Sequence, residues 1–296
     1  MKSDKRILLA FILNLTFSIF EFIGGALTNS VAIISDSVHD LGDSLSLGIS
    51  YFLERKSKKK PDEKYTYGYI RYSVLGSVIT TTILITGSIF VIYNAFDRLF
   101  HPVDINYDGM VLFAIFGVIV NFLAVYFTRR GNSLNQKSVN LHMLEDVLGW
   151  IIVLIGSIII KFTGITWIDS LLSIIVAIYI FIHSIKNLKS ILNIFLEKTP
   201  DNIDILKIKN DLLKNTDISD VHHIHIWSMD GYSNYATMHI VTDNDNFKVK
   251  KQVREKLKEY KICHVTIEIE KLTEKCESKC CNIEEYNELN HHHHHH

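Results

Sequence analysis

Cysteine is missing before position 263; the four present, Cys263, Cys276, Cys280 and Cys281, crowd the end of the 296-residue chain. That distribution argues against a secreted disulfide scaffold. Net charge is missing as well, since 31 Lys and Arg stand against 32 Asp and Glu. The balance says little about partners, because a basic rim and an acidic tail cancel in the sum, and no nucleic-acid partner is expected. No Gly-x-x-x-x-Gly-Lys-Ser/Thr loop occurs, so nothing reads as a nucleotide motor, and no His-Glu-x-x-His occurs to suggest a zinc hydrolase. A cleavable leader is not evident: the first apolar run, Ile7 to Leu27, is long enough to span a bilayer and lacks a small-residue cleavage site. Of the 15 histidines, the six from His291 to His296 read as a purification tag, which leaves nine.

Hydrophobic residues make up 48% of the chain, and they crowd before Lys198. A spanning helix needs about 20 largely apolar residues, and six segments qualify: 6–27, 31–54, 71–98, 108–129, 139–162 and 167–194. The second and fifth are the weakest by hydropathy because they carry polar positions. A polar stripe through a span must be buried in the bundle or wetted from one side. Lys and Arg cluster at the N-terminus (Lys2, Lys5, Arg6), after the second span (Arg55, Lys56, Lys58, Lys59, Lys60, Lys64) and after the fourth (Arg129, Arg130, Lys137). The alternate connections hold only Arg98 and Lys161. These basic ends read as cytoplasmic, and six spans then put both termini inside a multi-pass protein of the cell membrane.

The polar positions themselves form a pattern. His39 and Asp43 are four apart in the second span, and His142 and Asp146 repeat the spacing in the fifth. On a helix of 3.6 residues per turn each pair shares one face, about 6 Å apart along the axis. Two helices each offering an imidazole and a carboxylate could complete a four-ligand cage for one divalent ion. In a soluble protein such a pair is ordinarily a solvated helix face or a local hydrogen bond. Inside a membrane, ionisable groups survive mostly where they face a cavity, a partner or an ion path. Asp40 and Glu145 stand beside these pairs, each rotated about 100° from its neighbour. They read as the lining of a wet vestibule or, in the sharper alternative, as a second ion or proton site. Asp36, one turn from His39, reads as lining the exit.

After Leu196-Glu-Lys-Thr-Pro200 the pattern becomes that of a small soluble domain. Residues 201–215 and 247–260 have helical spacing, whereas 221–229, 235–242 and 265–269 alternate like strands. Asp230-Gly231 is a hairpin turn signal. The expected organisation is a six-helix membrane domain (1–199), an α+β domain of helix, strand, strand, helix, strand (200–275), a Cys-containing tail (276–290) expected to be mobile, and the tag (291–296).

At this point the motifs resemble the cation diffusion facilitator family of proton-coupled divalent-metal exporters. The matching stretches are Ser35-Asp-Ser-Val-His-Asp-Leu-Gly-Asp43, Tyr65-Thr-Tyr-Gly-Tyr-Ile-Arg71 leading to Val74-Leu-Gly76, His101-Pro102, Leu141-His-Met-Leu-Glu-Asp146, Val221-His-His-Ile-His-Ile-Trp227 and His264-Val-Thr-Ile-Glu-Ile-Glu270. The resemblance implies six spans, a ferredoxin-like αββαβ cytoplasmic domain and a homodimer. It also implies a transport site at His39, Asp43, His142 and Asp146, and no enzymatic activity. Two imidazoles and two carboxylates suit Zn²⁺, whereas an all-oxygen site would favour harder ions; Cd²⁺, Co²⁺, Fe²⁺ and Mn²⁺ are the alternative cargoes. No cofactor is expected, with Zn²⁺ or a related cation as substrate and regulatory ligand. Ser73 stands where many relatives have a glutamate. An intramembrane metalloenzyme and a metal sensor are the competing classes.

The cytoplasmic histidines leave two readings open. His222, His223 and His225 on one strand and His239 on its partner could converge on metal, with His264 and Glu270 as further ligands, or could pack as ordinary strand surface. Alternation puts His223 and His225 on one face and His222 on the other, so they cannot all share a site without a bulge. Cys276, Cys280 and Cys281 could capture soft cations as thiolates or be free thiols. His101 reads as a loop residue, and His183 as interfacial.

Overall fold

Six apolar runs become six long helices: α1 (Ser3–Leu27), α2 (Val31–Ser57), α3 (Arg71–Phe100), α4 (Tyr107–Thr128), α5 (Leu134–Thr163) and α6 (Trp167–Phe195). This computed structural model describes residues 3–27, 31–100, 107–130, 133–163, 167–214, 217–274 and 276; the side chains of Asp36 and His39 are among those within α2 that are not described. The chain divides into two compact units, Met1–Phe195 and Leu196–His296. The described prolines, Pro61 and Pro200, both fall outside the helices, so neither removes a donor from a helical ladder. Among the described residues, Ser3–Gly24, Arg71–Phe100 and Leu134–Gly156 are long and apolar enough to cross a bilayer, and Ala114–Thr128 is a shorter apolar helix.

In the first unit α1 packs on α2 and α4, α3 on α2, α5 and α6, and α5 on α4 and α6. The outward faces are greasy, with Leu45, Phe52, Phe90, Tyr93, Phe116, Ile119 and Phe122 all exposed. The buried faces are mixed. In α2, Asp43, Ser46, Ser50 and Glu54 are all buried and recur at intervals of three or four, which is one helical face. In α5, Asn135, Ser138 and His142 form a matching row. Ser50, Glu54, Asn135 and Ser138 bond across helices, which matters because a buried polar group without a partner costs about 1–3 kcal/mol. Ser50 Oγ meets Thr80 Oγ1 at 2.6 Å, Asn135 Nδ2 donates to the Ser50 carbonyl at 2.8 Å, and Ser138 Oγ bonds Ser77 and accepts from Asn187 Nδ2 at 2.9 Å. Ser73 donates to the buried Glu54 at 2.7 Å. The carboxylate beside Ser73 of α3 therefore arrives from α2.

The second unit contains α7 (Ile205–Leu213), β1 (Asp220–Ser228), β2 (Asn234–Val241), α8 (Asn246–Glu259) and β3 (Ile262–Glu270). Asp204 and Asp245 cap the two helices by accepting from the backbone N–H three residues on. The sheet order is β1-β2-β3, with β1 antiparallel and β3 parallel to β2. Alternation along β2 buries Asn234, Ala236, Met238 and Ile240 and leaves Tyr235, Thr237, His239 and Val241 half-buried on the other face. Ile208, Leu212, Val249, Val253 and Leu257 complete the core with Ala236, Met238 and Ile240. Asp230 accepts from the N–H groups of Tyr232 and Ser233, and Gly231 takes φ +86°, closing the hairpin at the Asp-Gly pair.

Gly117 of α4 lies directly under the Trp150 ring of α5. A Cβ on Gly117 would stand 2.5 Å from the Trp150 ring, whereas one on Gly42 would meet nothing within 4 Å. Gly117→Val is therefore expected to destabilise the purified protein by about 1–3 kcal/mol, the usual range for overpacking, while Gly42→Ala leaves the midpoint unchanged or slightly higher. Thermal unfolding in detergent, followed by intrinsic fluorescence, checks both.

Candidate metal centres

The first cluster sits where the polar rows of α2 and α5 meet. Asp43, His142 and Asp146 each offer a ligand atom, and these atoms all lie within 4.8 Å of one another. His142 Nε2 is 3.6 Å from Asp43 Oδ1. Neither ring nitrogen of His142 has a hydrogen-bond partner among the described residues, although its side chain is only 3% exposed. A buried imidazole costs free energy unless something occupies its lone pair. Donors around a tetrahedral zinc stand about 3.3–3.8 Å apart, so a contraction of about 1 Å would close this set.

The cluster opens into a cavity of about 670 Å³ between α2, α3, α5 and α6. Asp40 and Glu145 line the cavity with Asp43, His142 and Asp146, and Ser88 Oγ lies 3.5 Å from Glu145 Oε1. The position of the cavity is informative. It takes α3 from Thr82 onward, α5 from His142 onward and α2 no further than Asp43. The bonded layer of Ser50, Ser77, Thr80, Thr81, Ser138 and Asn187 begins within about two turns on the opposite side. His39 falls four residues before Asp43 in α2, and Asp36 three before that, but both side chains lie outside the described residues.

The second cluster lies at one end of the sheet, on the face away from α7 and α8. His222, His239, Glu270 and Cys276 bring four ligand atoms within 4.8 Å of one another. In the register His222 pairs directly with His239, and His239 with Glu268, which sets one row across three strands. Glu270 Oε1 is 2.6 Å from His239 Nδ1, Glu270 Oε2 is 3.3 Å from His222 Nε2, and Cys276 Sγ is 3.7 Å from His239 Nδ1. The far side of each ring faces its own carboxylate, Asp220 at 3.2 Å from His222 Nδ1 and Glu268 at 3.3 Å from His239 Nε2. Histidines that ligate metals almost always have such an acceptor on the other nitrogen, which fixes ring and tautomer. Burial acts to raise the Asp220 carboxyl, but Lys209 and the Val221 N–H outweigh it and hold it below the usual range. Asp220 is thus an ionised acceptor beside His222 Nδ1, and the other ring nitrogen faces Glu270. Burial would also raise Glu270, yet hydrogen bonds from His239 and Cys276 and the nearby imidazole charges keep it low.

Strict alternation fails at this strand. A register shift separates His222 from His225, and His223 adopts φ +50°. The bulge shifts the phase by one residue, so Val221 and Ile226 both face the core and His222 and His225 share the outer face. His223 stacks on His239 with centroids 4.7 Å apart and meets His225 edge-on at 4.8 Å. Burial, then the charges of His223 and His239, push the His225 imidazole below its ordinary value. Neither His225 nor His264 contributes to the four-atom cluster; His264 lies against Tyr235 instead. Cys280, Cys281 and His101 lie outside the described residues, and His183 bonds the Tyr179 carbonyl of its own helix. The orienting acids Asp220 and Glu268 escape a ligand search by residue type; only cross-strand register identifies them.

Comparison with known proteins matches this architecture. Residues 7–196 fit the cation efflux transmembrane domain and residues 200–272 the cation efflux protein cytoplasmic domain. The chain belongs to the cation efflux family, whose members are membrane transporters. Among its relatives, the metal cation efflux system protein CzcD of Cupriavidus metallidurans is 32% identical over 274 residues, covering 90% of this chain and 87% of that protein. The cadmium, cobalt and zinc/H⁺-K⁺ antiporter of Bacillus subtilis is 34% identical over 277 residues (90% and 89%), and zinc transporter ZitB of Escherichia coli 29% over 288 (95% and 91%).

Proposed function

We propose that this protein exports divalent metal cations from the cytoplasm, Zn²⁺ foremost, in exchange for protons. The observation that carries the reading is the convergence of Asp43, His142 and Asp146 from two helices on one buried cavity. His39, on the sequence spacing, is the fourth ligand. A set of two imidazoles and two carboxylates suits zinc and accommodates cadmium and cobalt, the cargoes named for the Bacillus relative. Cation binding requires neutral imidazoles and ionised carboxylates. Protons therefore compete with metal for the same atoms, and a histidine, titrating near pH 6.5 when unperturbed, exchanges one for the other at physiological pH. That competition is the simplest coupling of efflux to the proton gradient.

With the basic loop Arg55–Lys64 on the cytoplasmic side, both termini are cytoplasmic and the cavity opens outward from the site. The bonded layer between Ser50 and Ser138 then closes the inner route. Asp40 and Glu145 line the outer vestibule. The second unit senses metal through His222, His239 and Glu270, and the protein works as a homodimer, the assembly expected from its family resemblance.

Asp43→Ala and Asp146→Ala are each expected to reduce zinc uptake by inside-out proteoliposomes to background while insertion and dimerisation persist; uptake at wild-type rate would sink the cage. Asp40→Asn and Glu145→Gln should each leave uptake within about twofold and their effects should add, as residues without a shared ion do. A far larger loss in the double variant would assign them a second ion or proton site. For the soluble unit, Asp220→Asn is expected to weaken Zn²⁺ binding about 10- to 100-fold by freeing the His222 ring. Calorimetry on residues 200–276 measures it, and an unchanged affinity would return the histidines to strand surface.

A further inference from the structure

We propose that Cys276 is a metal ligand of the cytoplasmic unit, its thiolate completing a His222–His239–Glu270–Cys276 set that selects thiophilic cations such as Zn²⁺ and Cd²⁺ over harder ones. The proposal deepens the reading of His222, His239 and Glu270 as a metal site and rests on it. Three observations carry it. The Sγ atom belongs to the same 4.8 Å cluster as the other three donors and lies 3.7 Å from His239 Nδ1. The chain is built to bring it there: after β3 ends at Glu270, Glu274 N–H donates to the Lys271 carbonyl and Lys271 N–H donates to Glu274 Oε2 at 2.6 Å. Leu272 N–H reaches Asp243 at 3.4 Å, tying this turn to the end of β2. Finally, His222 Nε2 is a buried ring nitrogen with no hydrogen-bond partner among the described residues, 3.3 Å from the carboxylate that Cys276 also contacts. Two imidazoles and a carboxylate alone would leave an open position; the sulfur closes the set, as structural zinc sites require.

The chemistry follows from the donor. Metal binding removes the thiol proton, and the resulting thiolate favours zinc and cadmium and disfavours Mn²⁺ and Mg²⁺, which prefer oxygen. The ion also joins the segment after the sheet to β1 and β2. Cys263 plays no part: it is exposed and donates to the Asn234 carbonyl.

The test uses the full-length protein without its terminal histidines, titrated with Cd²⁺ and followed by ultraviolet thiolate-to-metal absorption. All four cysteines lie beyond position 262, so the band reports on the cytoplasmic unit alone even while the membrane site fills. The triple variant C263S/C280S/C281S, which keeps only Cys276, is expected to give the band with the first equivalent, and a hundredfold excess of Mn²⁺ should not erase it. Cys276→Ser should abolish the band and weaken cadmium binding by at least about tenfold, the lower limit seen even for outer-shell changes, with an unchanged far-ultraviolet spectrum. No band from the triple variant, with His239→Ala still weakening binding, would overturn the thiolate and keep the site. Binding indifferent to both His239→Ala and Glu270→Ala would remove the site itself, and the thiolate with it.

Discussion

An ionisable side chain inside an apolar bundle costs several kcal/mol unless something compensates its charge, and the membrane unit is arranged around that constraint. Asp43, His142 and Asp146 face a cavity rather than lipid. On the side toward Ser50 and Asn135 the same two faces stay polar and bond to neighbouring helices. Asn14 illustrates the dependence. It is 1% exposed, and its amide donates to Ser44 Oγ at 3.2 Å and to the Asp40 carbonyl at 3.4 Å, fixing α1 against the part of α2 that holds Asp43. Phe17, one turn on, meets Trp150 of α5 edge-on at 5.4 Å. A polar and an aromatic contact from one helix thus set the distance between the two that carry the ligands.

Much of this was legible in the sequence, for a physical reason. Spacing of four residues determines a helical face whatever the tertiary structure, so Asp43 and the His142–Asp146 pair could be grouped before any coordinates. Glu21, Glu54, Asn14 and Asn121 are buried as well, but their residue types alone do not say which helix each one faces. Partners come only from the fold: Ser73 carries no charge, yet the Glu54 carboxylate of α2 stands 2.7 Å from its hydroxyl. The order helix, strand, strand, helix, strand is legible from periodicity, and the Asp204 and Asp245 caps set the two helix starts at Ile205 and Asn246.

The His-rich strand was the hard case. Parity assigned His223 and His225 to one face and His222 to the other, and that assignment holds only for an unbroken ladder. A histidine with φ +50° costs about 1–3 kcal/mol relative to an extended one. Nothing in a run of His-His-Ile-His announces it. The cost is met by the core, since without the phase shift either Val221 or Ile226 would leave it.

The layer of Ser50, Thr80, Ser77, Ser138 and Asn187 behaves differently from a hydrophobic plug. Parting leucines would expose oil to water and meet a dewetting barrier. Parting hydroxyls trades one hydrogen bond for another with solvent, at a small net difference. The bonds across this seam are of a kind that water molecules can replace one for one, and here the contact between α3 and α5 is polar.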